Sequence, residues 1–221
     1  MSDLDQTPGY AFDLHCHTRE RSGCSSISEE ALIRRAIRLG LAGVAFTDHH
    51  RLPPPGRLEE LNGKYHPFRV FTGIEISIYT AGGLQDFLVI GVNDPALEAP
   101  GWTYIRLRKH VRGQGGWIAW AHPFRYSPHL PKEIRDNPPD ALEICSTNIK
   151  PDLAPRIEAA AKEWGCQVIG SSDAHFLEEV GYSVIVLSRP VASEAELVAR
   201  LKKGDFRTVR QLTATLRQEA I

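Results

Sequence analysis

"AFDLHCHT", residues 11–18, is the stretch on which the reading of the whole chain turns. It runs from an apolar start through Asp13 into two histidines two residues apart. Side chains alternate along an extended strand, so His15 and His17 point to the same face. Two imidazoles aimed one way at a strand's end suit metal binding, because histidine is the commonest metal ligand. A single His-x-His decides nothing, since a histidine beside an apolar run is equally well a satisfied core residue. The ends of the other strands decide it.

Apolar, β-rich runs recur: "YAFDLH", "AGVAFTD", "FRVFTGIEISIY", "DFLVIGV", "GWIAWAH", "ALEICS", "CQVIGSSD" and "YSVIVLS". Several are apolar almost throughout, as in strands covered on both faces. Amphipathic segments lie between them. "SEEALIRRAIRLG" opens with Ser28 as N-cap and closes at Gly40; Leu32, Ala36 and Leu39 fall at i, i+4 and i+7. "WTYIRLRKHVRGQG", "PDLAPRIEAAAKEWG" and "SEAELVARLKKG" follow the same plan. The alternation predicts a mostly parallel α/β sheet or barrel. Residues 51–67 read as a long loop holding at most one short helix, and with no linker or repeat the chain reads as one domain over 1–221.

At 221 residues, 42% hydrophobic and a formal charge of −1, the chain has the make-up of a soluble globular protein without the basic footprint needed to grip long nucleic acid. The acidic, polar start and the lack of a bilayer-length apolar run predict a cytoplasmic protein that does not engage membranes. The four cysteines form no Cys-x-x-Cys pair. Cys145 and Cys166 read as small core residues; Cys24, in a polar loop near the histidines, stays open.

The strands end in chemistry. After the first come His15 and His17, and the second ends in Asp48, His49 and His50. Glu75 lies in the third, His122 ends the fifth, and Asp173 and His175 end the seventh. In parallel α/β folds the carboxyl ends of the strands gather at one crevice or barrel face. Imidazole and carboxylate with no certain thiolate suit Zn, Mn or Fe. More ligands are present than one closed tetrahedral site uses, and Glu75 has two oxygens with which to bridge. Such centres bind water as hydroxide and clamp both oxygens of a displacement.

The ordered set "DLHCHT", "FTDHH", "GIEIS", "AHPFR" and "SSDAH" resembles the PHP (polymerase and histidinol phosphatase) family of metal-dependent phosphoesterases. The resemblance runs from Asp13 to His175 and on into "VGYSVIVL". It implies a distorted (β/α)7 barrel with two or three divalent transition metals. It places His15, His17, Glu75 and Asp173 on one metal, Glu75 and His122 on a second, and His49 and His175 on a third. Two positions depart from the pattern. Ser22 and Gly23 stand where the third metal's remaining ligand is expected, and Asp86 aligns with a histidine that usually joins the second metal.

Asp48 reads as the carboxylate that orients a histidine. His50 reads as a pocket residue or a plain loop histidine, and His66, His110 and His129 as surface residues. Arg125, three residues after His122, is the best-placed guanidinium for a phosphate; Arg19, Arg21 and Lys150 follow. These residues predict hydrolysis of a small phosphate ester, a nucleotide or a short oligonucleotide by a metal-activated hydroxide, with Arg125 and His50 as the catalytic side chains. Nothing points to an obligate protein partner. The rivals are an amidohydrolase-type barrel, which wants a carbamylated lysine that no lysine here is placed to supply, and a metal-stabilised binding module without turnover.

Overall fold

The computed structural model describes residues 9–210. In chain order the elements are β1 (Tyr10–Cys16), α1 (Glu29–Arg38), β2 (Gly43–Phe46), α2 (Arg57–Lys64), β3 (Arg69–Thr80), β4 (Gly83–Ile90), α3 (Tyr104–Gly113), β5 (Trp117–Ala121), α4 (Lys132–Asp136), β6 (Ala141–Cys145), α5 (Ala154–Trp164), β7 (Gln167–Gly170), β8 (Ser183–Leu187), α6 (Glu194–Lys203) and β9 (Arg207–Arg210). The strands form one sheet in the order β7-β6-β5-β4-β3-β2-β1-β8-β9.

The helices start and stop where side chains satisfy their free ends. The Ser28 hydroxyl accepts from Ala31 N at 3.3 Å to open α1, with Glu29 and Glu30 in its first turn and Arg35 and Arg38 in its last. That charge order favours the helix dipole. α1 buries Leu32, Ile33 and Ala36 against the sheet. α6 repeats the plan, from Ser193 at its start to the left-handed Gly204 at its end.

β1, β2 and β3 pair in parallel, as do β5, β6 and β7. The expectation of a mostly parallel sheet holds with two reversals. β4 runs against both its neighbours, and β8 runs against β1 and β9. Only residues 81 and 82 separate β3 from β4, too few for a crossover, so a hairpin is the one connection available. β9 and α4 also lie outside the sequence-based expectation. β2, β5 and β8 are buried at every position, which is why they read as unbroken apolar runs.

The two ends of the strand order meet. Thr208 Oγ1 donates to Val168 O at 3.0 Å. A Cβ at Gly170 would sit 2.0 Å from Ser183 Oγ and 2.8 Å from Thr208 Cγ2, so glycine is what lets β7 approach β8 and β9. The result is a nearly closed, distorted barrel. Its interior cluster draws Phe12 and Leu14 from β1, Phe71 from β3, Trp117 from β5 and Leu187 from β8, with Leu197 and Leu201 of α6 joining it. Among the described residues, no helix is long and apolar enough to cross a membrane.

β2 lies tightly between β1 and β3. A Cβ at Gly43 would meet Arg69 O at 2.5 Å and the Phe12 ring at 3.0 Å. Because the nearest atom is backbone, Gly43→Ala is expected to destabilise the protein by about 1–3 kcal/mol, the range for overpacking. A urea titration checks this: the midpoint falls with an unchanged slope, and an unmoved midpoint refutes the tight fit.

Candidate metal centre

The barrel strands deliver their polar side chains to one point. Glu75, in the part of β3 that runs past the end of β2, is fully buried with four imidazoles around it. Its Oε2 lies 2.9 Å from His49 Nδ1, 3.3 Å from His17 Nε2 and 3.4 Å from His15 Nε2. Its Oε1 lies 3.1 Å from His122 Nε2. Asp173 brings Oδ1 to 3.2 Å from His15 Nε2 and 3.1 Å from His17 Nε2, and those two ring nitrogens face each other at 3.0 Å. Three sets place one ligand atom each within 4.8 Å of one another: His15, His17 and Asp173; His15, Glu75 and His122; His17, His49 and His175.

Outer groups fix these rings. His15 Nδ1 faces Glu143 Oε1 at 3.0 Å, which turns Nε2 toward the centre. Glu143 also accepts from His122 N at 2.8 Å and from the Ser171 hydroxyl, joining the ends of β5, β6 and β7. His175 Nδ1 lies 2.9 Å from Asp173 O, which frees its other nitrogen. Asp13 accepts from Ser172 N at 2.9 Å and Gly181 N at 3.0 Å and so anchors the turn that carries Asp173. His50, His122, Phe124 and Asp173 all take left-handed φ values, +54°, +29°, +67° and +55°. Such conformations cost of order 1–3 kcal/mol each and gather where function dictates the backbone.

Charge explains why this cluster is buried at all. Burial opposes ionisation of His15, but Asp173, Glu75 and Glu143 outweigh it and raise its pKa well above the usual value. Burial likewise opposes ionisation of Glu75, yet the His15 charge and contacts from His122 and His49 hold its carboxyl well below the ordinary range. His49 and His122 are raised against burial, chiefly by Glu75, whereas burial dominates at His17 and lowers it. Asp86 is pushed up by burial and by Glu75.

The donor set fits divalent metals. Glu75 Oε2 has three ring nitrogens nearby and no hydrogen bond of proper geometry, and Asp86 Oδ1 and His122 Nδ1 are also buried without partners. Buried polar atoms are normally satisfied, so Glu75 Oε2, unsatisfied among three ring nitrogens, marks a place for a ligand. Imidazole and carboxylate match zinc, manganese or iron.

Not every residue singled out from the sequence meets at this point. His15, His17, His49, Glu75, His122, Asp173 and His175 do. Asp86, on β4 opposite Ser77, brings Oδ2 to 3.7 Å from His122 Nε2. Arg125 reaches the rim, with NH1 4.0 Å from Asp173 Oδ2. Arg21 does not reach the cluster: its side chain is buried between Asp48, at 2.8 Å from Nε, and Glu29, and both carboxylates neutralise it. Arg19 and Lys150 are exposed. His50 accepts from Ser77 N at 3.3 Å through Nε2. Asp48 acts on a histidine only indirectly, since it accepts from the Ser22 hydroxyl at 2.7 Å and Ser22 Oγ lies 3.4 Å from His17 Nδ1. Cys24 is exposed. Sequence reasoning passed over Glu143; the signal was a lone carboxylate inside the apolar run "ALEICS".

Comparison with known proteins bears on this centre. The family model described as the PHP domain matches residues 13–130, and one described as PHP-associated matches residues 155–206. The chain is 33% identical over 95 residues to the 5'-3' exoribonuclease Rnm of Escherichia coli (strain K12), a match covering 42% of this chain and 30% of that protein. Among solved structures it resembles a two-domain protein of Bacteroides vulgatus ATCC 8482 containing a predicted PHP-like metal-dependent phosphoesterase. That likeness has a TM-score of 0.70 at 16% identity and covers 96% of this chain and 67% of the other. PsfC of Pseudomonas syringae PB-5123 gives a TM-score of 0.67 at 15% identity over 96% of this chain and 99% of its own. An amidohydrolase of Chromobacterium violaceum, with bound sulfate and no metal, gives 0.61 at 16% identity over 90% and 97%. At such identities the structural likenesses establish a shared fold.

Glu143 aims His15 from behind, and glutamine keeps an oxygen to accept from His122 N and Ser171, so Glu143→Gln is expected to leave the fold intact and weaken metal binding about 10–100-fold, read by chelator competition. An unchanged affinity would remove the orienting role. Metal must also displace protons from His15, His49 and His122, whose pKa values are raised. Affinity is therefore expected to rise with pH between about 5 and 8; a flat profile in the same assay contradicts this.

Proposed function

This chain belongs to the PHP domain family, and on that footing we propose that it is a metal-dependent phosphoesterase acting on a small phosphate ester, a nucleotide or a short oligonucleotide. The observation that carries the proposal is the buried Glu75 carboxylate ringed by four imidazoles, with Arg125 at the rim. In the same proposal the segments matched by the two family models work as one domain; in support, Asp173 N donates to His15 O at 2.8 Å and His17 N to Ala174 O at 3.1 Å, one residue of each pair from each segment. Its cytoplasmic location is part of the same proposal.

In this reading His15, His17, Glu75 and Asp173 hold one metal. Glu75, His122 and Asp86 hold a second, and His49 and His175 hold a third with His17 close by. When bound, zinc, manganese or iron ions supply Lewis acidity that activates water and neutralises phosphoryl charge. The protein does the rest. Glu143 and Asp13 keep the ligands in place. Arg125 offers two parallel N–H groups to the non-bridging phosphate oxygens, a match that lysine lacks. The exposed Arg19 and Lys150 add positive charge further out. His50, held by Ser77 N, borders the space beside the phosphate.

The third site is the weak one. The Ser22 hydroxyl stands beside His17 and His49 with its proton committed to Asp48, so it brings no negative charge to the metal. A metal titration is expected to show two tight equivalents and one markedly weaker. Three equally tight sites would contradict this.

Glu75→Ala is expected to abolish activity toward generic phosphoesters and lower metal content together. Arg125→Ala is expected to keep its metal and lose roughly 10–100-fold in kcat/KM, the equivalent of a charge-assisted hydrogen bond of about 1.5–3 kcal/mol, with Arg125→Lys recovering part. Full metal occupancy in Glu75→Ala, or unchanged kinetics in Arg125→Ala, would refute the assignment of that residue.

A further inference from the structure

A second feature adjoins the metal centre. β3 is twelve residues long and β2 only four, and their pairing stops at Thr72. The far half of β3 therefore overhangs its neighbour, with one isolated bridge, His49 to Glu75, beyond the paired part. Beside this overhang lies a cleft of about 490 Å³, bordered by His50, Ser77, Tyr79, Pro100 and Trp102. It begins where the metal ligands end: His49 and His50 are consecutive, His50 N donates to Glu75 O at 2.9 Å, and Ser77 N donates to the His50 ring. Alternation along β3 puts Glu75, Ser77 and Tyr79 on one face, so Tyr79 lies on a line leading outward from the centre. Its side chain is 85% exposed, an unusual place for a large aromatic.

Resting on the phosphoesterase reading, we propose that this cleft receives the organic half of the substrate and that this half is a flat, uncharged aromatic group, as in a nucleoside or aryl phosphate. Its volume lies in the range that holds small-molecule ligands. Tyr79, Trp102 and His50 line it, Trp102 carrying the Arg106 guanidinium over its ring, and stacking on aromatic side chains accepts any planar base. The lining has no lysine or arginine. Its one acid, Glu98, is occupied by Leu52 N at 2.8 Å and by Arg51. The nearest cations, Arg51 on Glu98 and Arg106 over the Trp102 ring, stand outside the lining and are already engaged. Tyr79 and Trp102 are specificity-determining residues in this assignment, and His50 fixes the cleft's inner wall.

The test compares adenosine monophosphate with glycerol phosphate on the metal-loaded protein. The wild type is expected to have the lower KM for the nucleotide. Tyr79→Ala and Trp102→Ala are each expected to cut the preference in kcat/KM about ten-fold, the lower part of the range for losing one stacked base. Tyr79 is exposed, so its variant folds even if that of Trp102 does not. Equal KM values for the two esters in the wild type, or an unchanged preference in Tyr79→Ala, overturn the proposal and leave the phosphoesterase reading standing. Adenosine alone, followed by the Trp102 indole N–H resonance, separates the two ideas. A saturable shift lost in Tyr79→Ala, in a protein that hydrolyses neither ester, supports the cleft and sinks the phosphoesterase; no shift at millimolar adenosine overturns the cleft.

Discussion

The Glu75 carboxylate, fully buried with its two oxygens inside a ring of histidines, sets the terms for everything around it. A lone ionised carboxylate in such a place costs several kcal/mol and would simply take up a proton. It stays ionised because His15, His17, His49 and His122 reach it from the ends of β1, β2 and β5. Those imidazoles in turn need Asp173 and Glu143 for their own balance. The cluster is thus mutually dependent: removing one carboxylate leaves buried imidazoles without a counter-charge. One atom at the point of convergence, Glu75 Oε2, has three ring nitrogens beside it and no properly aligned hydrogen bond, which is where a divalent cation fits.

The barrel exists to make that convergence rigid. Strands that share a direction deliver their ends to one rim, and the closure at Gly170 keeps the rim from opening. The hairpin reversal at β4 matters here too. It sets Asp86 opposite Ser77 and Ala121, between Glu75 on one strand and His122 after the other, and so brings a carboxylate from within β4 to 3.7 Å from the His122 ring. The left-handed backbone at His122 and Asp173 is tolerated because Glu143 and Asp13 hold the turns by hydrogen bonds to their N–H groups or neighbours.

Most of this was open to reading in the sequence, for a physical reason. Residues such as His15, His17, His122 and Asp173 interrupt apolar runs at their ends, and interruption by a strong ligand type is visible without a structure. What stayed hidden depends on direction. Arg21 sits next to the motif in sequence, yet its chain turns back onto Asp48 and Glu29, which spacing alone cannot reveal. Glu143 was concealed because it lies inside a run, where a buried carboxylate looks like a break in a core strand until its partners are seen. The cleft beside Tyr79 follows from the mismatch in length between β2 and β3, and length mismatches between neighbours need the pairing to be known.

The central claim is that Glu75 bridges two metals held by imidazole and carboxylate. X-ray absorption at the metal edge of the purified, metal-loaded protein tests it most directly. The account predicts a first shell of nitrogen and oxygen with clear imidazole scattering, and a metal–metal vector of about 3.5–4 Å that vanishes in Glu75→Ala. A sulfur shell, which would bring in Cys24, or a lone metal with no neighbour in the intact protein, would contradict it.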